Sequence, residues 1–405
     1  MNTNRDQNTL LGKLYVLDLA DEKAGFCSKL LADMGARVVK IEQPGGDRSR
    51  RIGPFLKDSP HPEGSLSFLY NNTNKLGITL NLAHSEGKRL FFHLVERTDV
   101  IVETFPPGYM ERLGLGYEVL SHRRPGLILT SVTGFGRNGP RKDFASCDLV
   151  ASAYGGQMYV TGSENEAPLK IYGEQSYVTA SLFAAIGILL ALRKRGQFGT
   201  GEHIDISLQE AVASTLDHVM VRYFYEQMIP KRGGSLHWNH LFCMMPCKDG
   251  FIRMTINWQW ETLVEWLENE GMADDLIDEK WKDEAYRRDN VDHIIEVLGR
   301  WTKTHSVDEL FESGQLMNFP WAPVRSPEEI VASPQLNARG FFTNSDHAET
   351  GDRMRYPGLP YQFSPPFEVP RKRAPSVGED NVSIYHGELG ISKEELKRLY
   401  DMGAI

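Results

Sequence analysis

Three groups of residues in the chain have the types and spacing to do chemistry. The run Asp47-Arg48-Ser49-Arg50-Arg51 follows Gly45-Gly46 and an extended segment, Arg37–Glu42. Guanidinium groups on a loop just past a strand can hold phosphates through paired N–H donors, so Arg48 is a candidate anion ligand. The competing reading is a charged surface loop. A second run, Gly134-Phe135-Gly136-Arg137-Asn138-Gly139, matches the GxGxxG pattern after another extended segment. A dinucleotide site needs those glycines to open an apolar helix. Pro140-Arg141-Lys142-Asp143 comes next instead, so the expectation is a tight loop lining a cleft, with Gly136 a candidate ligand-facing position. The third group, His237, His240, Cys243 and Cys247, has zinc-type donors. Cys243 and Cys247 lie four apart in an apparent strand, where such positions are distant. A buried strand is expected there, and no metal. Neither a Gly-x-Ser-x-Gly elbow nor a P-loop occurs, which leaves serine-hydrolase and P-loop NTPase readings without a local basis.

The elements that must position these residues alternate. Lys13–Ala20, Arg37–Glu42, Asp99–Phe105, Leu127–Thr133 and Glu202–Leu208 read as strands. Ala24–Met34, Ser85–Thr98 and a short segment at Tyr109–Leu113 read as helices. Strands separated by helices of this length imply βαβ units and a parallel sheet. Tyr177–Arg195 is a long apolar helix, and Gln209–Glu226 another. After residue 227 the pattern changes to two short strands, Leu241–Pro246 and Phe251–Ile256, turned at Lys248-Asp249-Gly250, and then to helices. The expected organisation is a large domain from 10 to 226, a smaller α+β domain from 227 to 330, and a segment from 331 to 405 that returns to the large domain. That segment ends in a helix, Ser392–Asp401, opened by a Ser392/Glu395 capping box.

Composition narrows the class. The 405 residues carry 45 Lys+Arg against 54 Asp+Glu, a formal charge of −9. That balance argues against nucleic-acid or anionic-membrane partners, though not against a local basic pocket. Four cysteines in so long a chain suit reduced thiols in a cytoplasm rather than a disulfide framework. The first nine residues lack an apolar signal core, and the most apolar run, Leu182–Leu192, is short of a membrane span.

The ordered motifs resemble the class III CoA-transferase (CaiB/BaiF) family over nearly the whole chain. They are Val16-Leu17-Asp18-Leu19; Leu31 through Glu42; Gly45-Gly46-Asp47; Asn74-Lys75 before Ile78-Thr79-Leu80; Met110 through Tyr117; Gly134-Phe135-Gly136 with Gly139-Pro140; Ala184–Leu192; Gly201–Ser207; and Gly378-Glu379-Asp380-Asn381. The resemblance implies a Rossmann-like large domain, a small domain, and dimers whose chains interlock like rings. It implies CoA thioesters as substrates, with no permanently bound cofactor. Arg112 matches a CoA-contacting position, and Asn74 and Lys75 lie in a segment near the ligand.

Family transferases use an Asp nucleophile that attacks the thioester to give a mixed anhydride and CoA thiolate. It stands ten residues before the Gly of the Ala-Ile-Gly segment, which is Tyr177 here. A phenol of pKa near ~10 is little ionised at neutral pH and forms no acid anhydride. Glu174 precedes it by three residues and is a candidate substitute. Pro106 stands where members carry a basic residue that touches CoA. The racemase branch's His-Asp pair is Cys147-Asp148 here. The resemblance therefore points to a subunit without its own nucleophile, paired with an active paralogue in a heterodimer or heterotetramer. It extends to heteromeric members that move CoA from succinyl-CoA to benzylsuccinate in anaerobic toluene degradation. The alternatives are a homodimeric transferase using Glu174, a CoA-ester isomerase or racemase, and a non-enzymatic CoA-ester-binding protein.

Overall fold

The structure is a computed structural model that describes residues 9–237, 242–347, 352–367 and 371–405. It divides into two compact units, one of Met1–Gln157, Lys170–Val221 and Gly340–Ile405, the other of Met158–Leu169 and Arg222–Arg339.

The first unit is built on six parallel strands: β1 (Tyr15–Leu19), β2 (Arg37–Glu42), β3 (Leu76–Thr79), β4 (Val100–Glu103), β5 (Ile128–Thr133) and β6 (His203–Ser207). Their order is β3-β2-β1-β4-β5-β6, with Tyr15 opposite Arg37 and Val16 opposite Val100. This is the expected Rossmann-like sheet. Because side chains alternate along a strand, near-continuous apolar runs fill both faces, as in parallel sheets covered on each side. Leu17, Ile41, Ile78 and Leu129 pack with the helix Ser85–Val95 and with Ile384, Tyr385, Leu399 and Ile405 from the chain's end. Val16, Val38, Val100 and Ile128 pack on the other face against Leu31, Ala180, Ala184 and Ile188.

The 24-residue helix Gln175–Phe198 is long and apolar enough to cross a membrane by length and composition. Its small-residue face (Ala180, Ala184, Ala185 and Ala191) is buried in the core of the first unit, as in a core helix of a globular unit.

The chain's end closes the free edge of the sheet. β3 is an edge strand, and unpaired edges invite association unless covered. Here the Gly77 N–H donates to Asp380 Oδ2 at 2.8 Å and the Thr79 N–H to Asn381 Oδ1 at 2.8 Å. The Tyr385 hydroxyl donates to the Thr79 carbonyl at 2.8 Å. Earlier in the return segment, Asn74 exchanges two hydrogen bonds with the Lys372 backbone, at 3.0 and 2.7 Å.

The second unit holds an antiparallel sheet of Phe242–Pro246, Phe251–Thr255 and Ala322–Pro323 over a core that includes Trp260, Trp281, Trp301 and Trp321. Cys243 is buried in that core opposite Met254. His240 and Leu241 lie outside the described residues, and among those described no group of three or more His, Cys, Asp or Glu could hold a metal.

Two sequence expectations are corrected. Gln209–Glu226 is not one helix but two, Leu208–Ala213 and Asp217–Glu226. The Ser214 and Thr215 hydroxyls donate to the Ala211 and Val212 carbonyls, at 2.8 and 2.7 Å, and compete with the helical ladder. Ser392 caps the last helix by accepting the Glu395 N–H at 3.1 Å, but the Glu395 carboxylate turns to Arg398, at 2.7 Å, so no reciprocal box closes.

A buried ion pair ties the first strand to its surroundings. Lys75 Nζ lies 2.7 Å from Asp18 Oδ2, with both side chains fully buried, and donates also to Ser28 Oγ, Asn72 Oδ1 and the Gly25 carbonyl. Removing one member leaves the other charge buried and unpaired, typically a loss of about 3–5 kcal/mol. Lys75→Met should therefore destabilise the fold on that scale. An unfolding midpoint within about 1 kcal/mol of wild type would show that the pair carries no such weight.

Candidate active site

The C-terminal ends of β1, β2, β4 and β5 open onto one cleft of about 930 Å³. Strand order reverses between β1 and β4, the crevice where open α/β sheets bind ligands. Leu19, Ile41, Leu80, Phe105, Pro106, Tyr109 and Phe144 supply apolar wall, with the Phe105 and Tyr109 rings 4.8 Å apart. Thr133, Gly134 and Ser146 come from the loop side of β5, so the run containing the GxGxxG match reaches the cleft without opening a helix. The cleft's basic side chains are Lys23, Arg48 and Lys142.

The candidate ligand residues separate by position. Arg48 is on the cleft, in a short helical turn begun by Asp47, whose carboxylate accepts the Ser49 N–H at 2.8 Å. Gly46 lets that turn close: its φ is +94°, and a Cβ there would come 3.1 Å from Val377 and 3.2 Å from Arg50. Arg48 is largely exposed and bonds Glu22 Oε1 at 2.8 Å. Its neighbour Arg50 is buried against Glu42 at 2.6 and 2.7 Å and against Glu63 at 2.6 Å, so it serves the scaffold. Arg112 is exposed at the end of the Tyr109–Arg112 helix, its guanidinium 5.9 Å from the Tyr109 ring. Gly136 has φ +84° and packs over Asp205 and Ser207 without lining the cleft. Asn74 holds Asp33 at 2.7 Å as well as the return segment, and Lys75 is spent on Asp18. Glu22, Lys23 and Lys142 escaped the sequence reading. The signal for the first two was their place directly after β1, since loops at that sheet edge face the ligand.

Tyr177 lies on the first turn of the Gln175–Phe198 helix and is buried. Its phenol oxygen accepts the Asp148 N–H at 3.0 Å. Asp148 begins a second helix, Asp148–Tyr154, and returns the favour: its Oδ1 accepts the Ser176 N–H at 2.9 Å and the Ser176 hydroxyl at 2.6 Å. The other oxygen of Asp148 sits 2.7 Å from Lys170 Nζ. Each helix thus caps the other's orphan N–H groups. Burial, then the charge of Glu22, pushes the Tyr177 phenol well above its usual range, so it stays protonated at neutral pH. Glu174 occupies the N-cap position of the same helix, half-buried, with no hydrogen bond to its carboxylate among the described residues. Burial and the charges of Asp148 and Glu22 raise its pKa. Cys147, the racemase-type position, is exposed.

A polar network joins β4, β5 and β6 to the loop after β5. Arg137 bonds Glu111 and lies 3.7 Å from Glu103, while its backbone N–H donates to Asp205 Oδ2 at 2.9 Å. Ser131 Oγ is 2.9 Å from His203 Nε2. Burial raises the Glu103 carboxyl to about 7, although its Oε2 accepts the Phe105 N–H at 2.6 Å.

Two outcomes are expected. Tyr177→Phe leaves the Asp148 N–H without its acceptor and should cost about 1–2 kcal/mol of stability, read by urea unfolding; an unchanged midpoint would mean that the bond carries nothing. Glu103 binds its proton more tightly folded than unfolded, so it withdraws stability as pH rises from its ordinary value of 4.5 through about 7. Glu103→Gln, which does not titrate, should gain up to about 3 kcal/mol relative to wild type between about pH 5 and about pH 8. A pH-independent difference would contradict that assignment.

The same residues can be compared with known proteins. The family model described as CoA-transferase family III matches residues 11–381. Succinyl-CoA:(R)-benzylsuccinate CoA-transferase subunit BbsE of Thauera aromatica is 33% identical over 97% of this chain and 97% of its own length. The succinyl-CoA–L-malate CoA-transferase beta subunit of Chloroflexus aurantiacus is 31% identical over 96% of each. The crystal structure of a CAIB/BAIF family protein from Brucella suis superposes with a TM-score of 0.85 at 28% identity, covering 94% of this chain and all of that one. The sheet order, the cleft at its reversal point and the family match agree: the chain belongs to CoA-transferase family III.

Proposed function

We propose that this chain is the non-catalytic subunit of a heteromeric class III CoA-transferase, interlocked with a paralogous subunit that carries the nucleophilic carboxylate. The complex moves CoA between carboxylic acids, with succinyl-CoA as donor and benzylsuccinate as acceptor. The observation that carries the reading is the state of Tyr177. Acyl transfer begins when a carboxylate oxygen attacks the thioester carbonyl and CoA leaves as thiolate. At that position this chain offers a protonated phenol whose oxygen is already bonded to the Asp148 N–H. An aryl ester formed there would not be the mixed anhydride the reaction passes through. The substrate pair is supported by likeness to the Thauera aromatica benzylsuccinate enzyme's subunit, and the heteromer by that protein and the Chloroflexus aurantiacus malate enzyme, both of which are subunits.

A homodimer using Glu174 is the second reading, favoured by one feature: a half-buried carboxylate without a hydrogen-bond partner among the described residues, one turn before Tyr177. The two readings separate in one set of assays. Expressed alone, the chain should exchange no CoA between succinyl-CoA and benzylsuccinate; expressed with its paralogue, the complex should. Tyr177→Phe should leave turnover of the complex within about tenfold, or ~1.4 kcal/mol of barrier. Hydroxylamine added after succinyl-CoA should leave no hydroxamate on Glu174. A soluble homodimer that turns over, trapped at Glu174 and silenced by Glu174→Gln, would replace the first reading with the second.

A further inference from the structure

Among the described residues, Arg48 is the one cleft cation whose side chain is mostly in water while its partner is not. The Arg48 side chain is 69% exposed and that of Glu22 5%. Glu22 Oε1 accepts from Arg48 at 2.8 Å, and Glu22 Oε2 is buried with no hydrogen-bond partner among the described residues. The groups around Glu22 come from every element near it. Asp21 and Lys23 flank it in the chain and bond each other. Lys40, from β2, is held by the Ala20 carbonyl and Asp47. Glu174 and Tyr177 face it from the Gln175–Phe198 helix. Every nearby cation except Arg48 is therefore engaged elsewhere, and the nearby acids disfavour a second free negative charge. Burial and Asp21 raise the Glu22 pKa.

We infer that Arg48 is an anion ligand held in reserve by Glu22, and that an anionic group of a CoA thioester entering the cleft takes Arg48 from Glu22 while Glu22 takes up a proton from water. The exchange conserves charge: the ligand's anion replaces the carboxylate beside the guanidinium, and the carboxylate is neutralised in place. Leaving Glu22 ionised without Arg48 would strand a buried charge beside Asp21 and Glu174, the costly alternative. Arg48 returns when the ligand leaves, and the proton goes back to solvent. Binding at this chain's cleft is thereby tied to pH, tightening as pH falls from neutral toward the raised pKa of Glu22. The inference rests on the cleft being a CoA-thioester cleft, but not on which subunit performs the chemistry.

The test uses coenzyme A as probe and the protein in the assembly in which it purifies. Calorimetry at about pH 6.5 in two buffers of different ionisation enthalpy counts protons taken up. Wild type should take up more than Glu22→Gln, the titration of the CoA 3′-phosphate being common to both. Glu22→Gln should bind CoA about two- to fivefold more tightly near pH 7.5, the scale of releasing a partly exposed ion pair, and with a flatter pH dependence. Arg48→Ala should weaken binding, and adding Glu22→Gln to it should give no gain, the mark of coupled residues. Circular dichroism and melting of each variant separate lost binding from lost fold, with Arg48→Lys as the milder second variant. Equal affinity and equal proton uptake in wild type and Glu22→Gln would overturn the coupling. Absence of CoA binding that depends on Arg48 would overturn the inference outright, while the subunit role, which is read from turnover, would stand.

Discussion

Two helix N-termini meet beside the cleft, and neither is satisfied without the other. A helix begins with N–H groups that have no partner in its own ladder. Here the Asp148 carboxylate serves Ser176 and the Tyr177 phenol serves Asp148. The constraint fixes where the Gln175–Phe198 helix starts relative to the lip carrying Ser146 and Cys147. It also decides chemistry, because the Tyr177 oxygen and the Asp148 carboxylate are both consumed by these contacts. A buried phenol that accepts a backbone hydrogen bond and keeps its own proton is a structural group.

Charge around the cleft follows the same logic of engagement. The buried pairs Lys75–Asp18 and Arg50–Glu42 sit where the strands end, and each satisfies its remaining donors on backbone or side-chain oxygens. Such pairs add little net stability but are costly to break singly, so they define geometry rather than drive folding. Among the described residues, the cleft's less engaged cations are a smaller set: Arg48, bonded to Glu22, and Lys142 on the exposed lip. Apolar wall from Phe105, Pro106 and Tyr109 lies alongside. Pro106 contributes surface without charge, so the basic side chains on the cleft are Lys23, Arg48 and Lys142.

Much of the scaffold was legible in the sequence, because a parallel sheet writes itself as apolar runs spaced by amphipathic helices. Arg37–Glu42 is a strand with the expected bounds, and Ser85 opens its helix as expected. β3 was harder to see: four residues containing Gly77, stabilised at one edge by a segment some 300 positions later, carry no local pattern. The hairpin of Phe342–His347 and Asp352–Pro357 is mostly polar and gave no strand signal either. For the site, residue type misled where burial decides. Arg50 and Lys75 look like anion ligands and are structural cations; Glu22 looks like loop solvation and is a buried carboxylate. Sequence order cannot tell these apart, because it does not reveal which charge has already found a partner. Tyr177 was found by alignment to a motif, but its bond to Asp148, 29 residues earlier, could be known only once two helices were brought together.

The cleft's shape is independent of position 177 for a physical reason. The walls are strand ends and the loops after them, and those loops are pinned by interactions the fold itself needs: Arg50 across Glu42 and Glu63, Asp47 capping the turn at Ser49, Asp380 and Asn381 closing the edge of β3. None of these involves position 177. A phenol at 177 that accepts a helix-end N–H leaves every one intact and adds a buried hydrogen bond. Selection against the cleft would have to work through those same scaffold contacts, each expensive to lose. The shape of the cleft therefore does not depend on what stands at position 177, and the part of its lining that remains adjustable is the partly exposed Arg48–Glu22 pair.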